Sequence, residues 1–268
     1  MIKAIFFDID GTLLPSHAQD LPQSVEEDLW KLHAKGIRLF LCTGRSPSSI
    51  RKLPASIVRF PWSGIIAANG QLSLDENGHI FHRILLSHNA LTKAVSILKQ
   101  QHIYAIFFEE DFTYASMRNK EAESVYHGFR NPLPLPVCDP CRAFSHETFQ
   151  ISLFMPSTMD EIFLNQVPDM KCARWSPFFA DMIPSCGGKK KGIQVMLERY
   201  GIRREETMSF GDGWNDMEML EYTAIGTAMK NAPEEVRNCA DHVTDCAEKD
   251  GLHHAFVHFS LLNPKKDQ

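Results

Sequence analysis

Two short acidic stretches hold the residues best suited to do chemistry. Near the start, Asp8 and Asp10 stand two apart in Ala-Ile-Phe-Phe-Asp-Ile-Asp-Gly-Thr, residues 4–12. Much later, Gly211-Asp212-Gly213-Trp214-Asn215-Asp216 sets two more aspartates among glycines. Residues i and i+2 of an extended backbone point the same way, so Asp8 and Asp10 present their carboxylates together. Like charges that close are costly unless a cation or a shared proton lies between them. An arbitrary D-x-D more often caps a turn with one Asp and leaves the other to solvent. Here the pair ends the apolar run Ile5–Phe7 and is followed at once by Gly11-Thr12, which reads as a metal and phosphate site at a strand end.

Two further stretches offer partners for an anion. Thr43-Gly44-Arg45 follows a second apolar run, and Lys189-Lys190-Lys191 leads into a helical stripe. Free backbone N–H groups at a helix start attract anions, and a plain polar turn is the competing reading for Thr43-Gly44. Positive side chains oppose the helix dipole at its N-terminus. Three lysines there need a reason, and an anion shared with the acidic stretches supplies one. Lys190 and Lys191 are expected to point to water.

These groups need strands that end where they stand. Ser24 and Glu27 form a capping-box pattern ahead of Val25, Leu29 and Leu32, and Gly36 stops that helix. Ile37–Cys42 reads as a second strand, with Ser46-Pro47 starting the next helix. Ile65–Ala68 is a third, turned by Asn69-Gly70 into a hairpin through Leu72 and Leu74. After a long middle section, Ile193, Met196, Leu197 and Tyr200 mark a helix and Thr207–Phe210 a strand that ends at the second acidic cluster. Met217 and Leu220 begin the helix behind it. Ile225–Ala228, a helix from Pro233 and a last one over Gly251–Phe259 complete the pattern. Both acidic clusters and Thr43-Gly44 thus fall at strand carboxyl ends.

The middle reads differently. A stripe of Leu91, Ala94, Val95 and Leu98 precedes two extended runs, Ile103–Phe108 and Phe112–Met117. Ile151–Met155 is another strand. A second capping-box pattern, Thr158 with Glu161, opens a helix carrying Ile162 and Phe163, followed by extended runs Lys171–Trp175 and Phe178–Ile183. Two helix-strand-strand units suggest an α+β module inserted into an α/β domain. The expected division is a core of residues 1–81 and 185–268 with an insertion over 82–184. Pro132, Pro134, Pro136 and Pro140 mark a stiff loop, and Glu109-Glu110-Asp111 a solvated hairpin tip.

The 268 residues are 44% hydrophobic and 23% charged, ordinary for a globular protein with one large or two smaller domains. A net charge of −5 gives no sign of a nucleic-acid surface. No apolar run approaches the roughly 18 residues needed to span a bilayer, and Asp8 interrupts what could resemble a signal peptide. A cytoplasmic location is expected, with no membrane partner. Seven cysteines fit reduced thiols. Cys138-Asp139-Pro140-Cys141 lacks the second pair a zinc site needs, and His253-His254 has no partner at ligand spacing.

Taken in order, the four motifs resemble those of the haloacid dehalogenase superfamily of aspartyl-phosphate phosphatases: D-x-D-G-T at Asp8–Thr12, T-G-R at Thr43–Arg45, a lysine before a helix, and G-D-x-x-N-D at Gly211–Asp216. The insertion and Ala68-Asn69-Gly70 resemble the Cof-type branch, whose lysine pattern is met by Lys189 with Gly192 and Ile193 following. The resemblance covers nearly the whole chain. It implies a Rossmann-like parallel sheet core with an inserted α+β cap domain, and an Asp8 that attacks phosphorus. It also implies Mg²⁺ held by Asp8, the backbone carbonyl of Asp10, and Asp212. Asp10 would serve as acid and base, and Thr43, Gly44 and Lys189 would hold the phosphate oxygens. Asn215 would orient the lysine or phosphate, and Asp216 would brace the site. The implied substrate is a small phosphate monoester such as a sugar phosphate, handled by a monomer or small homo-oligomer. A phosphotransferase or mutase would use the same aspartyl-phosphate, and a non-catalytic protein could share the fold.

Overall fold

The structure, a computed structural model, describes residues 1–16, 18–128 and 135–263. In chain order its strands are β1 (Ala4–Phe7), β2 (Arg38–Cys42), β3 (Gly64–Ala67), β4 (Leu72–Asp75) and β5 (Ile80–Arg83). Next come β6 (Ala105–Phe108), β7 (Thr113–Ala115), β8 (Gln150–Phe154), β9 (Met170–Arg174) and β10 (Phe179–Pro184). The last are β11 (Thr207–Gly211), β12 (Ile225–Ala228) and β13 (His242–Val243).

β1 lies inside a sheet of order β13-β12-β11-β1-β2-β3-β4-β5, parallel through β3 and antiparallel at β4 and β5. Its side chains alternate between two cores. Ile5 and Phe7 pack with Leu29, Leu32, Leu252 and Phe256 of the helices Gln23–Ala34 and Gly251–His258. Phe6 packs the other way, with Ile193, Met196 and Met219 of the helices Lys189–Tyr200 and Met217–Tyr222. A strand covered on both faces needs an unbroken apolar run, which Ala-Ile-Phe-Phe supplies. From β1 the chain steps to β2 on one side, while β11 lies on the other. The strand order therefore reverses between β1 and β11, and the crevice beyond their carboxyl ends is where such sheets bind ligands.

The remaining strands form a second, antiparallel sheet of order β7-β6-β8-β10-β9. Ile151, Leu153, Ala180 and Met182 pack beneath the helices His88–Gln101 and Asp160–Gln166. By the period of two, Gln150, Ser152 and Asp181 fall on the opposite face. Asp181 stands directly across from Ser152 in the β8–β10 ladder. The chain passes between the sheets after Arg83 and again after Pro184.

Several local expectations are corrected. The helix Gln23–Ala34 starts after Pro22 with no side-chain cap, and the Ser24 hydroxyl donates to Asp250 instead. Pro22 fixes φ two residues early, so Ser24 is already helical and cannot fold back. Thr158 likewise lies inside the turn Ser157–Met159 that Pro156 opens, and the helix Asp160–Gln166 has no side-chain cap. The helix Lys120–Gly128 was not expected. Asn119 caps it, its Oδ1 accepting from the Ala122 N–H at 3.0 Å, but only Ala122 and Tyr126 are buried, too short a stripe to read. The acidic tip is solvated at Asp111, which meets Arg51 in an exposed pair, and partly at Glu110 beside Arg83, but Glu109 is buried against Arg142.

Of the four prolines, Pro132 and Pro134 lie outside the described residues. The Pro136 carbonyl accepts from the Ala115 N–H at 2.9 Å, and Pro140 opens the turn Pro140–Phe144. Asp139 caps that turn and pairs with Lys99, so the two cysteines flank a structural cap. His253 is buried against Asp28 at 2.6 Å and His254 lies at the surface beside Asp245. Among the described residues no helix is long and apolar enough to cross a membrane.

Candidate active site

Asp8 is the first residue beyond β1, and its N–H still donates to the Phe210 carbonyl of β11 at 2.9 Å. That bond ties the first acidic stretch to the strand that delivers the second. Gly11 turns the chain with φ 88°, and a side chain there would lie 2.2 Å from an Asp212 oxygen. Glycine is required on both counts. The Thr12 hydroxyl donates to Asp212 Oδ1 at 3.0 Å, and Asn231 Nδ2 to Oδ2 at 2.9 Å. Asp216 Oδ2 accepts the N–H groups of Asp212 and Gly213 at 3.0 and 2.9 Å, so the loop after β11 is wound around its own second carboxylate.

Lys189 opens the helix Lys189–Tyr200 and is fully buried, its ammonium donating to Asp8 Oδ1 at 2.6 Å and Asp216 Oδ1 at 2.5 Å. Burial alone would lower its pKa, but the carboxylates of Asp216 and Asp8 outweigh it and hold the lysine well above its ordinary value. Lys190 is exposed and lies over the Tyr222 ring, and Lys191 is half-buried. One oxygen each from Asp8, Asp212 and Asp216 gather within 4.8 Å of one another. Burial lifts Asp8 to about 7 despite Lys189, with Asp216 and Asp10 adding to the rise. Burial, then Asp8 and Asp216, raises Asp212 well above the carboxylate range. Such a cluster holds protons or a hard cation, and its all-oxygen donor set fits magnesium.

Asp10 points elsewhere. Both its oxygens accept from Arg45, at 2.6 Å from Nε and 2.7 Å from Nη2. Thr43 follows β2, its hydroxyl accepting from the Arg45 N–H at 3.2 Å, and the Gly44 carbonyl accepts from Gln150 Nε2 at 3.2 Å. Asn215 Nδ2 donates to Asn69 Oδ1 at 3.1 Å, so its partner is another amide and not Lys189. Asp8, Asp10, Thr43, Gly44, Asp212, Asn215 and Asp216 line one cavity of about 280 Å³. The antiparallel sheet and its helix supply the far wall, with Phe108, Tyr126, Gln150, Ser152, Trp175 and Asp181.

The four motifs therefore meet at one place. Sequence reasoning missed Arg45 as the partner of Asp10, Asn231 behind Asp212, and the far wall. One signal was available for that wall: Asp181 is a lone acid in the apolar run Phe-Phe-Ala-Asp-Met-Ile. Nothing nearby in the sequence marks Asn231.

The sequence pattern of the haloacid dehalogenase-like hydrolases matches residues 5–256. The chain belongs to that family. A Bacillus subtilis protein named as a candidate phosphatase, YkrA, is 30% identical over 97% of this chain and 98% of its own length. The solved subclass IIB sugar phosphatase BT4131 superposes with a TM-score of 0.91 at 32% identity, covering 97% of this chain and all of that one (100%). The family phosphatase BT1666 from Bacteroides thetaiotaomicron gives 0.89 at 28% identity, covering 98% and 96%. The chain is an enzyme of the haloacid dehalogenase superfamily of phosphatases and phosphotransferases, with its Rossmann-like α/β fold.

Proposed function

We propose that this enzyme is a Mg²⁺-dependent phosphatase acting in the cytoplasm on small phosphate monoesters, sugar phosphates or similarly hydroxylated metabolites, through an aspartyl-phosphate on Asp8. The observation that carries this reading is the buried Lys189, 2.6 Å from Asp8 at the point where the strand order reverses. A desolvated cation on the candidate nucleophile is placed to meet the charge of an arriving phosphate.

Magnesium would be held by Asp8, Asp212 and the Asp10 backbone carbonyl, and when bound it offsets the repulsion between carboxylate and phosphate. Asp8 would attack phosphorus as the ester oxygen leaves, while Thr43, Gly44 and Lys189 hold the remaining oxygens and Asn215 orients the group. Asp10 would give the leaving oxygen a proton, then take one from the water that cleaves the acyl phosphate. To do so it must give up at least one of its two bonds to Arg45. Asp216 would brace Lys189 and the loop of Asp212.

Residues 82–184 would form a cap that reads the leaving group. The aromatic rings of Phe108, Tyr126 and Trp175 beside Gln150, Ser152 and Asp181 suit a ring with hydroxyls. Replacing the segment between Leu86 and Ser185 with a short linker should leave a folded core that hydrolyses p-nitrophenyl phosphate and has lost its ranking of sugar phosphates. An unchanged ranking would remove the cap from specificity.

The direct test is a screen of phosphorylated metabolites with Mg²⁺, with excess EDTA, and after Mg²⁺ is restored. Phosphate release should vanish with chelation and return with the metal, and full turnover in EDTA would defeat the metal assignment. A phosphorylated acceptor in place of free phosphate would make the enzyme a transferase. The metal should also show in stability. An unfolded aspartate titrates near 3.9, whereas folding raises Asp8 to about 7 and Asp212 in the same direction. The metal-free fold thus carries the Asp8 penalty in full above pH 7 and sheds it as pH falls toward about 4, with Asp212 adding a penalty of the same sign. The rise in Tm on adding Mg²⁺ should be larger at pH 8 than at pH 5, and Asp212→Ala should lose most of it.

A further inference from the structure

Asn69 sits in the turn between β3 and β4, where Ala68, Asn69 and Gly70 all have positive φ, with Asn69 at φ 54° and ψ 38°. Asparagine tolerates that conformation, and stabilising a turn would be reason enough for it. Its side chain does more. The amide nitrogen donates to Asp181 Oδ2 at 2.8 Å and Gln150 Oε1 at 3.1 Å, both on the antiparallel sheet. The amide oxygen accepts from Asn215 at 3.1 Å, and the backbone N–H donates to the Thr43 carbonyl at 2.9 Å. The orientation of the amide follows from its partners, because the two oxygens of the antiparallel sheet accept and the Asn215 nitrogen donates. Asn69 is 1% exposed, so a lost partner would not be replaced by water.

We propose that Asn69 is a positioning residue that couples Asp181, on the cap wall of the cavity, to Asn215 at the phosphate. Contact between the leaving group and the cap is then felt at the phosphate site through one buried amide. The inference rests on the reading of Asn215 as a phosphate-binding residue.

The test is the inhibition constant of inorganic phosphate, measured with Mg²⁺ for Asp181→Asn, Asn215→Ala and the double variant, each with Asn69 and with Asn69→Gly. Glycine keeps the backbone conformation and removes the amide. With Asn69 present, the two substitutions should depart from additivity by about threefold or more. With Asn69→Gly they should add. Additive effects in both backgrounds, or the same departure in both, would overturn the coupling and leave Asn69 a turn residue. An Asn215→Ala enzyme that binds phosphate normally would instead overturn the reading of Asn215, and the coupling with it. If Asn69→Gly melts below the assay temperature, Asn69→Ala takes its place, since the neighbouring Ala68 already holds a positive φ. It removes the amide on both sides and should abolish the departure from additivity.

Discussion

Asp8→Asn should abolish turnover on every substrate, by on the order of 10⁴-fold or more, as expected when a nucleophile is removed. The amide is nearly isosteric, so the fold should survive the change. Its nitrogen is a poor nucleophile, and its neutral oxygen a weaker partner for Lys189, which now lies 2.6 Å from a carboxylate. Rapid quenching after mixing with a labelled phosphate ester should trap phosphoenzyme in the parent and none in the variant. Asp8 is already lifted to about 7 by burial and by Asp216 and Asp10, so the amide also relieves repulsion. The dead variant should melt above the parent when both are metal-free. A variant that still formed phosphoenzyme would move the nucleophile to another residue.

Asp10→Asn should separate substrates by their leaving groups. It keeps Asp8 and the Asp10 backbone carbonyl but removes the carboxylate that would give and take the proton. A sugar alkoxide needs that proton to depart, whereas p-nitrophenolate is stable without it. General acid–base help is typically worth about 10²–10⁴ in rate. The first step on a sugar phosphate should fall by that order, and on p-nitrophenyl phosphate far less. The activated ester should also give a burst of nitrophenol, because phosphoenzyme forms but water is no longer activated to cleave it. Stopped-flow absorbance would decide it, and equal losses on both substrates would mean Asp10 is not the proton carrier. The same substitution breaks the bidentate pair with Arg45. Arg45→Lys, which leaves the Asp10 carboxylate in place, should therefore give no burst beyond whatever the parent shows.

The centre of the fold was legible because burial on both faces leaves a local mark. Ile5, Phe6 and Phe7 form an unbroken apolar run, and the motif residues follow such runs directly. The helix starts were less legible. Ser24 and Thr158 match a capping pattern, yet Pro22 and Pro156 begin helical turn earlier and win because they fix the backbone itself. The far wall of the cavity was least legible, since Gln150, Ser152 and Asp181 meet Asn69 and Gly44 only through sheet register and packing between the two sheets. Asp10 posed a different difficulty. Its spacing placed it beside Asp8, but a charged neighbour 35 positions away, Arg45, turned its side chain.

The pairing of β1 with β11 also bears on how the chain comes to be assembled. Thr12 meets a partner 200 residues later, so closing the site is a contact of high sequence separation, the kind that slows folding. During synthesis β1 can join β2 early, but its other edge stays bare until residues 207–211 emerge. A bare apolar edge invites pairing with other chains. The whole antiparallel sheet is made in that interval, and among the described residues none of its strands pairs with a strand of the other sheet. A nascent chain can therefore complete that unit while Asp8 still lacks both Lys189 and the loop of Asp212 and Asp216. A product truncated before Asp216 should show no phosphatase activity, and measurable turnover from one would remove that loop from the site.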